Sequence, residues 1–321
     1  MRTPKPLPEM FRGRDFTVAE AKVAGISSSR LRRSDLDAPF RGIRSPTGSL
    51  STADLTHAES AENYWDALRA MALARAAAYA PALDPRAAFS HLTAAKAHGF
   101  PLRSAQMRDL EVHVSTATRE ARPRARGVTA HFSPRDLRAV VMASGLRVTT
   151  PVQTWVALSG NMSTVELVGI GDHLLRRKRP DATLGQLQRA VDRAAGRHGV
   201  KRLREALELI RPRTDSVRET QVRLLLTDAG LPEPRVNAPL HDLEGRFIRH
   251  GDMVYPEYGV LVEYDGEQHR TDDEQYHRDK RQLEQLIAAG WIVVHVLKAD
   301  MRDHAGVAQR VRRALHARGW R

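Results

Sequence analysis

The chain contains no cysteine, so disulfides and thiolate metal sites are closed to it. No apolar run approaches the roughly 18 residues that a membrane-spanning helix needs. The opening residues, Met1 to Pro8, carry three prolines and two basic residues and lack the apolar core of a signal peptide. A soluble, cytoplasmic protein with no membrane partner is the expectation. There is also no internal repeat, Walker-type loop, dinucleotide fingerprint or nucleophile elbow.

What is present is basic charge, unevenly distributed. The 321 residues hold 51 Lys+Arg against 38 Asp+Glu, a formal net charge of +13. From Arg213 onward there are 17 basic and 18 acidic residues, a balance of −1, which leaves 34 against 20, or +14, for the first 212. An excess on that scale points to a polyanionic partner, most economically nucleic acid, with double-stranded DNA the expected form. A solvated surface reflecting an Arg- and Ala-rich composition is the plainer account.

Taken in order, Asp15 to Pro46 reads as a small helix-turn-helix with a trailing strand. Thr17-Val18-Ala19-Glu20 has the form of a capping box, and the helix it opens would end at Gly25. Ser27 to Ser29 would cap a second helix over Arg30 to Ser34, and Phe40 to Arg44 would form the strand of a wing. Arg30, Arg32 and Arg33 are thereby candidates to contact DNA. A polar linker follows to residue 60, then an Ala-rich helix from Glu59 to Ala80. Two strands, Leu110 to Ser115 and Gly127 to Phe132, flank a loop carrying Arg119, Arg122, Arg124 and Arg126. Helices are expected from Pro151 to Leu158, Ser163 to Arg176, Thr183 to Ala195 and Val200 to Ile210. His57, His91, His98, His113 and His131 have no ligand spacing and read as structural.

A boundary is expected at Arg211 to Asp215, where the charge balance changes. Beyond it the pattern runs α-β-β-β-α-β-α, with Trp291 to Leu297 apolar enough to be an internal strand. The whole is an α+β multidomain chain: a winged-helix-like segment over 1–50, a mixed basic region over 51–213, and a third domain over 214–321.

The third domain holds the densest chemistry. Val260, Val262 and Tyr264 alternate with Leu261, Glu263 and Asp265, so Glu263 and Asp265 share a strand face with Cα atoms about 7 Å apart. Pro256-Glu257-Tyr258-Gly259 is a turn signal that would fold the strand carrying Asp252 back alongside. Carboxylates gathered in this way need a compensating cation. Asp252, Glu263 and Asp265 are hard oxygen ligands suited to Mg²⁺, with Mn²⁺ as an alternative. His269, just past the Asp265-Gly266 turn, has the pKa range to move a proton, and Gln268 is a positioning group. A wet edge strand would show the same alternation, so each residue taken singly has a plain structural account.

Asp252, then Glu263-Tyr264-Asp265-Gly266-Glu267-Gln268-His269, then Arg278 to Leu283 and Ala289-Gly290-Trp291, together resemble the very-short-patch-repair-like nucleases. These belong to the PD-(D/E)xK, restriction-endonuclease-like superfamily. The resemblance covers roughly Thr214 to Leu315. It implies Mg²⁺-dependent hydrolysis of DNA phosphodiesters, with Asp252 and Glu263 matching the two acids of the motif. The superfamily's lysine follows the second acid by two residues, and here that place holds Asp265; Lys280 and His269 are the substitutes on offer. Glu219 matches an acidic position in the family's first helix, but Ser216-Val217-Arg218-Glu219 is also a capping box. More loosely, residues 1 to about 205 resemble the AbiEi-type antitoxin and regulator arrangement. That likeness implies operator binding beside a cognate toxin and, for the whole chain, a non-catalytic regulator as the alternative to a nuclease.

Overall fold

The computed structural model describes residues 6–48, 61–133, 137–265 and 273–321 and is a mixed α and β protein with three sheets. It divides into two compact units, Met1–Asn161 and Met162–Arg321. Among the described residues no helix is long and apolar enough to cross a membrane.

The first unit opens on β1 (Phe16–Thr17) and α1 (Val18–Val23). The expected capping box forms: Glu20 N donates to Thr17 Oγ1 at 3.0 Å, and Thr17 N donates to Glu20 Oε2 at 2.7 Å. The second helix does not extend as far as expected. Only a 3₁₀ turn forms at Arg30–Arg32, anchored by the buried Leu31; so short a stretch cannot repay helix nucleation. β2 (Leu36–Asp37) and β3 (Ile43–Pro46) complete a small sheet in the order β1-β3-β2. The wing strand begins three residues later than its apolar pattern implies, because Phe40 is drawn into the core and Gly42, at φ 85°, turns the chain.

The larger part of this unit comprises α2 (Ala61–Tyr79), β4 (Ala88–Phe89), α3 (His91–Ala97), α4 (Ser104–Arg108), β5 (Val112–Thr116), β6 (Val128–Phe132), β7 (Ala139–Val141), β8 (Arg147–Thr149) and α5 (Pro151–Leu158). The sheet order is β6-β5-β4-β8-β7. Phe40, Tyr79, Phe89, Val114 and Val148 share its core.

The second unit starts with α6 (Thr164–Leu174), α7 (Leu184–Arg193) and α8 (Val200–Leu209). It continues with α9 (Val217–Asp228), β9 (Arg235–His241), β10 (Phe247–Tyr255), β11 (Val260–Asp265), α10 (Asp273–Ala288), β12 (Ile292–Leu297) and α11 (His304–His316), the alternation read from the sequence. The sheet order is β12-β11-β10-β9, parallel between β11 and β12 and antiparallel elsewhere. Met253, Tyr255, Val260, Val262 and Val296 pack against Val222 and Leu226 of α9 and Val307, Val311 and Leu315 of α11. Val254 and Leu261 face the other way, toward Leu286 of α10. β12 lies at the edge of the sheet rather than inside it. Its continuous apolar run reflects coverage on both faces, with Ile292, Val294 and Val296 in one core and Val293 in the other.

Helices α6 to α8 belong to this unit although the charge balance changes only after them. Asp172 of α6 and Arg223 of α9, each with a side chain 1% exposed, form an ion pair at 2.8 Å. Asp172 also accepts from Thr220 Oγ1 at 2.8 Å and from the Arg211 backbone at 2.7 Å. At Gly171 a Cβ would collide with the Ile210 side chain, so the helix and the following segment close together only over glycine.

Candidate active site and a second titratable cluster

Two strands and one helix start bring three acids together. The 3₁₀ turn Pro256–Tyr258, closed by Gly259 at φ 59°, folds β10 onto β11 with Tyr255 opposite Val260 and Met253 opposite Val262. Continuing that register sets Asp252 beside Glu263. A Cβ at Gly251 would fall against Leu261 and Leu240, so glycine is what lets these core side chains close immediately before Asp252. Tyr264 N donates to Asp252 Oδ2 at 3.1 Å, which holds the carboxylate between the strands.

Glu219 stands in the first turn of α9 and is buried. Only half of the expected capping box forms. Glu219 N donates to Ser216 Oγ at 3.1 Å, but the carboxylate passes over Ser216 and accepts from Asp215 N at 3.0 Å and Asn237 Nδ2 at 3.0 Å. Asn237 takes an unusual φ of 46° and also donates to the Arg213 carbonyl at 2.9 Å, tying β9 to the start of α9. Burial raises the Glu219 pKa against the pull of these donors.

Asp252 feels its neighbours most. Its pKa is pushed up to about 7, first by burial and then by the negative charges of Glu219 and Glu263; Tyr264 N–H and Arg249 oppose the rise. Glu263 is 9% exposed and accepts from Arg249 Nη2 at 2.5 Å. Asp265 lies one step further along the same face and is exposed, with Oδ2 3.6 Å from His295 Nδ1. His295 is Glu263's register partner on β12. Among the described residues no three His, Asp or Glu side chains are arranged to hold a metal ion.

The remaining candidates are dispersed. Lys280 is exposed on α10, and Gln268 and His269 lie outside the described residues. In the first unit, Arg30 is committed to Asp35 through two hydrogen bonds of 3.0 and 2.7 Å, whereas Arg32 and Arg33 are exposed. Arg249, Asn237 and His295 were not singled out by sequence. The one available signal for Arg249 was a basic residue on the strand that also carries the first acid.

A second titratable cluster lies in the first unit, where sequence spacing showed none. His91 opens α3, His113 lies on β5 and His131 on β6. The rings of His91 and His131 stack with centroids 3.4 Å apart, and His113 Nδ1 lies 3.0 Å from His131 Nε2. Burial lowers all three pKa values, to about 3 for His91 and about 4 for His131, and the rings' mutual repulsion adds to the shift at those two. Stacked rings send their nitrogens along parallel planes, which does not suit chelation. Buried Lys96, which donates to the Asp109 carbonyl, is likewise lowered, to about 8, chiefly by burial.

No family model matches the chain. Two curated proteins of Mycobacterium tuberculosis, one from strain CDC 1551 / Oshkosh and one from strain H37Rv, are each 29% identical to it over 173 residues. The match covers 54% of this chain and 63% of each relative, so the chain spans less than two thirds of the length of the curated relatives it matches. Both relatives bear the name "uncharacterized protein".

Proposed function

We propose that the protein binds DNA and that its second unit hydrolyses phosphodiester bonds with the help of a divalent cation. One observation carries the reading: half-buried Asp252 stands between buried Glu219 and buried Glu263, and its pKa is raised to about 7 by desolvation first and then by those two charges. Folding does not gather like charges for stability, and strongly perturbed carboxylates mark functional sites. The donor set fits a hard cation, since it offers carboxylate oxygens and its crowding is what a positive charge would relieve. Asp252 and Glu263 would hold the ion, with Asp265 the next carboxylate along the strand. When bound, Mg²⁺ or Mn²⁺ would acidify a water and offset charge developing on the phosphate.

The protein's own groups do the positioning. The Tyr264 N–H orients Asp252, and Asn237 with the Asp215 N–H fixes Glu219, so the acids keep their spacing without bound substrate. The basic excess of the first 212 residues supplies affinity for the polyanion. Arg32 and Arg33 are exposed for that role in a winged-helix-like segment, while Arg30 braces it.

The test is nicking of supercoiled plasmid in Mg²⁺ or Mn²⁺. Asp252→Asn and Glu263→Gln should each lower the rate by a hundredfold or more. Equal rates in wild type and both variants would overturn the assignment. A second reading, a non-catalytic DNA-binding regulator of the AbiEi type with a degenerate nuclease fold, is favoured by Asp265 standing where the motif has lysine. It predicts tight DNA binding with no cleavage under any metal.

A further inference from the structure

Glu263 is buried, yet its charge is not left uncompensated. Arg249, fourteen residues earlier in sequence and on the neighbouring strand, places Nη2 2.5 Å from Glu263 Oε2. The same guanidinium also acts on Asp252, where it opposes the pKa rise. A buried carboxylate in water-poor surroundings requires such a partner. We propose that Arg249 is the resident counter-ion of the acid cluster, and that its guanidinium and a divalent cation occupy Glu263 in competition. This deepens the hydrolytic reading above and rests on it for the identity of the competing ion.

Three features support exchange rather than a permanent structural pair. First, both occupants answer the same charge: Arg249 Nη2 already stands 2.5 Å from Glu263 Oε2, and a divalent cation bound by Asp252 and Glu263 would be repelled by a guanidinium held that close. Second, the pair is not sealed. The Arg249 side chain is 27% exposed, in contrast to the 1% of Arg223 in the Asp172 pair of the same unit. A guanidinium on a long stem can therefore leave without unpacking the core.

Third, Arg249 is under-used where it stands. Its Nε is buried with no hydrogen-bond partner among the described residues. Arginine has five N–H donors in a fixed fork suited to carboxylate and phosphate. Arg223 shares an unanswered buried Nε, so that feature marks exchange only together with the partial exposure of Arg249, whose remaining donors a second anion could take once the guanidinium moves. Displaced by the metal, the guanidinium remains beside the acids, where the phosphate of a bound nucleic acid would supply the missing acceptor.

The experiment is a calorimetric titration of the full-length protein with Mn²⁺, comparing wild type with Arg249→Gln and with Glu263→Gln. Removing the competitor should tighten Mn²⁺ binding about tenfold or more, whereas Glu263→Gln should abolish it. Unchanged or weaker binding in folded Arg249→Gln, or no Mn²⁺ binding in either protein, overturns the proposal. A second measurement needs no variant at all. In the wild type, the Arg249 Nε–H resonance should shift on saturation with Mg²⁺, and a resonance that stays in place overturns the proposal equally. The two readings fail separately. If wild type cuts DNA but Arg249→Gln binds Mn²⁺ no more tightly, the competition falls and hydrolysis stands. If no DNA is cut but the variant binds tenfold more tightly, the competition stands and hydrolysis falls.

Discussion

Each unit gathers titratable groups of one kind, and they solve the resulting repulsion in opposite ways. In the first, burial depresses the pKa values of His91, His113 and His131, with repulsion between the rings adding to the shift at His91 and His131, so the cluster sheds its charge. In the second, the acids keep an internal cation, Arg249 on Glu263, while Glu219 is raised by burial and Asp252 is pushed up to about 7. A cluster that discards its charge is complete in itself. One that keeps charge beside a partly exposed counter-ion is prepared to exchange that ion. On the reading proposed above, that difference would mark the binding site more clearly than residue type does.

The largest test concerns a pair that follows neither pattern. Asp172 and Arg223 are paired, both sealed, and join α6 to α9, with burial raising the Asp172 pKa against the pull of the guanidinium. Removing one partner leaves an uncompensated buried charge, so Arg223→Ala should destabilise the second unit by about 3–5 kcal/mol. For the same reason a fragment starting at Thr214 should fail to fold, while one starting at Met162 should give a cooperative thermal transition. Circular dichroism melts of the variant and both fragments decide this. A cooperative melt from the shorter fragment would contradict it.

Next in size is relief of the acid cluster. Asp252→Asn removes the charge and retains an oxygen for Tyr264 N–H. At pH 8 it should stabilise the protein by about 1–4 kcal/mol, since each unit of pKa shift corresponds to about 1.4 kcal/mol. Stabilisation together with loss of cleavage is the expected signature of a functional site. A destabilised Asn variant would mean that the carboxylate is structural.

The two clusters should also respond to pH with opposite signs. Between about 3 and 6.5 the unfolded chain binds protons that folded His91 refuses, so the histidine cluster weakens as pH falls through that window. Folded Asp252 holds its proton up to about 7 and the unfolded group only to 3.8, so its cluster strengthens as pH falls from 7 toward 3.8. Hydrogen exchange on the intact chain, corrected for intrinsic rates, separates them. From pH 7.5 to 4.5, protection of β5 and β6 amides should drop tenfold or more while that of β10 and β11 amides should hold or rise. Parallel loss in both sheets would remove the contrast.

How much of this was legible beforehand follows from the range of the interactions. The hairpin from Asp252 to Glu263 was readable because the period-two alternation and the Pro256–Gly259 turn are local. So was the Thr17 cap, whose two partners are three residues apart. The histidine cluster was invisible because its members are 22 and 18 residues apart in sequence and meet only through the pairing β4-β5-β6. Arg249 was hidden for a related reason, since its partner lies across a hairpin whose register a sequence does not state to the residue. The charge balance changes at Arg213, whereas the compact unit begins at Met162 and holds the pair that joins Asp172 to Arg223, a long-range contact that composition does not report.

The smallest effects should appear among the three arginines of the first segment, and they extend the same distinction to a single turn. Arg30 is paired with Asp35 and its side chain is 12% exposed, so Arg30→Ala should cost about 0.2–1 kcal/mol of stability. It should not alter the salt dependence of DNA binding. Arg32 and Arg33 are exposed, and each replaced by Ala should weaken binding at all sequences alike. Each should also reduce the slope of log affinity against log salt by about 1, the signature of one lost phosphate contact. Fluorescence anisotropy with a labelled duplex at several salt concentrations measures both quantities. If Arg30→Ala changes the slope while Arg32→Ala and Arg33→Ala do not, the intramolecular pair yields to DNA as Arg249 is inferred to yield to a metal, and a paired arginine in this protein would no longer count as a structural one.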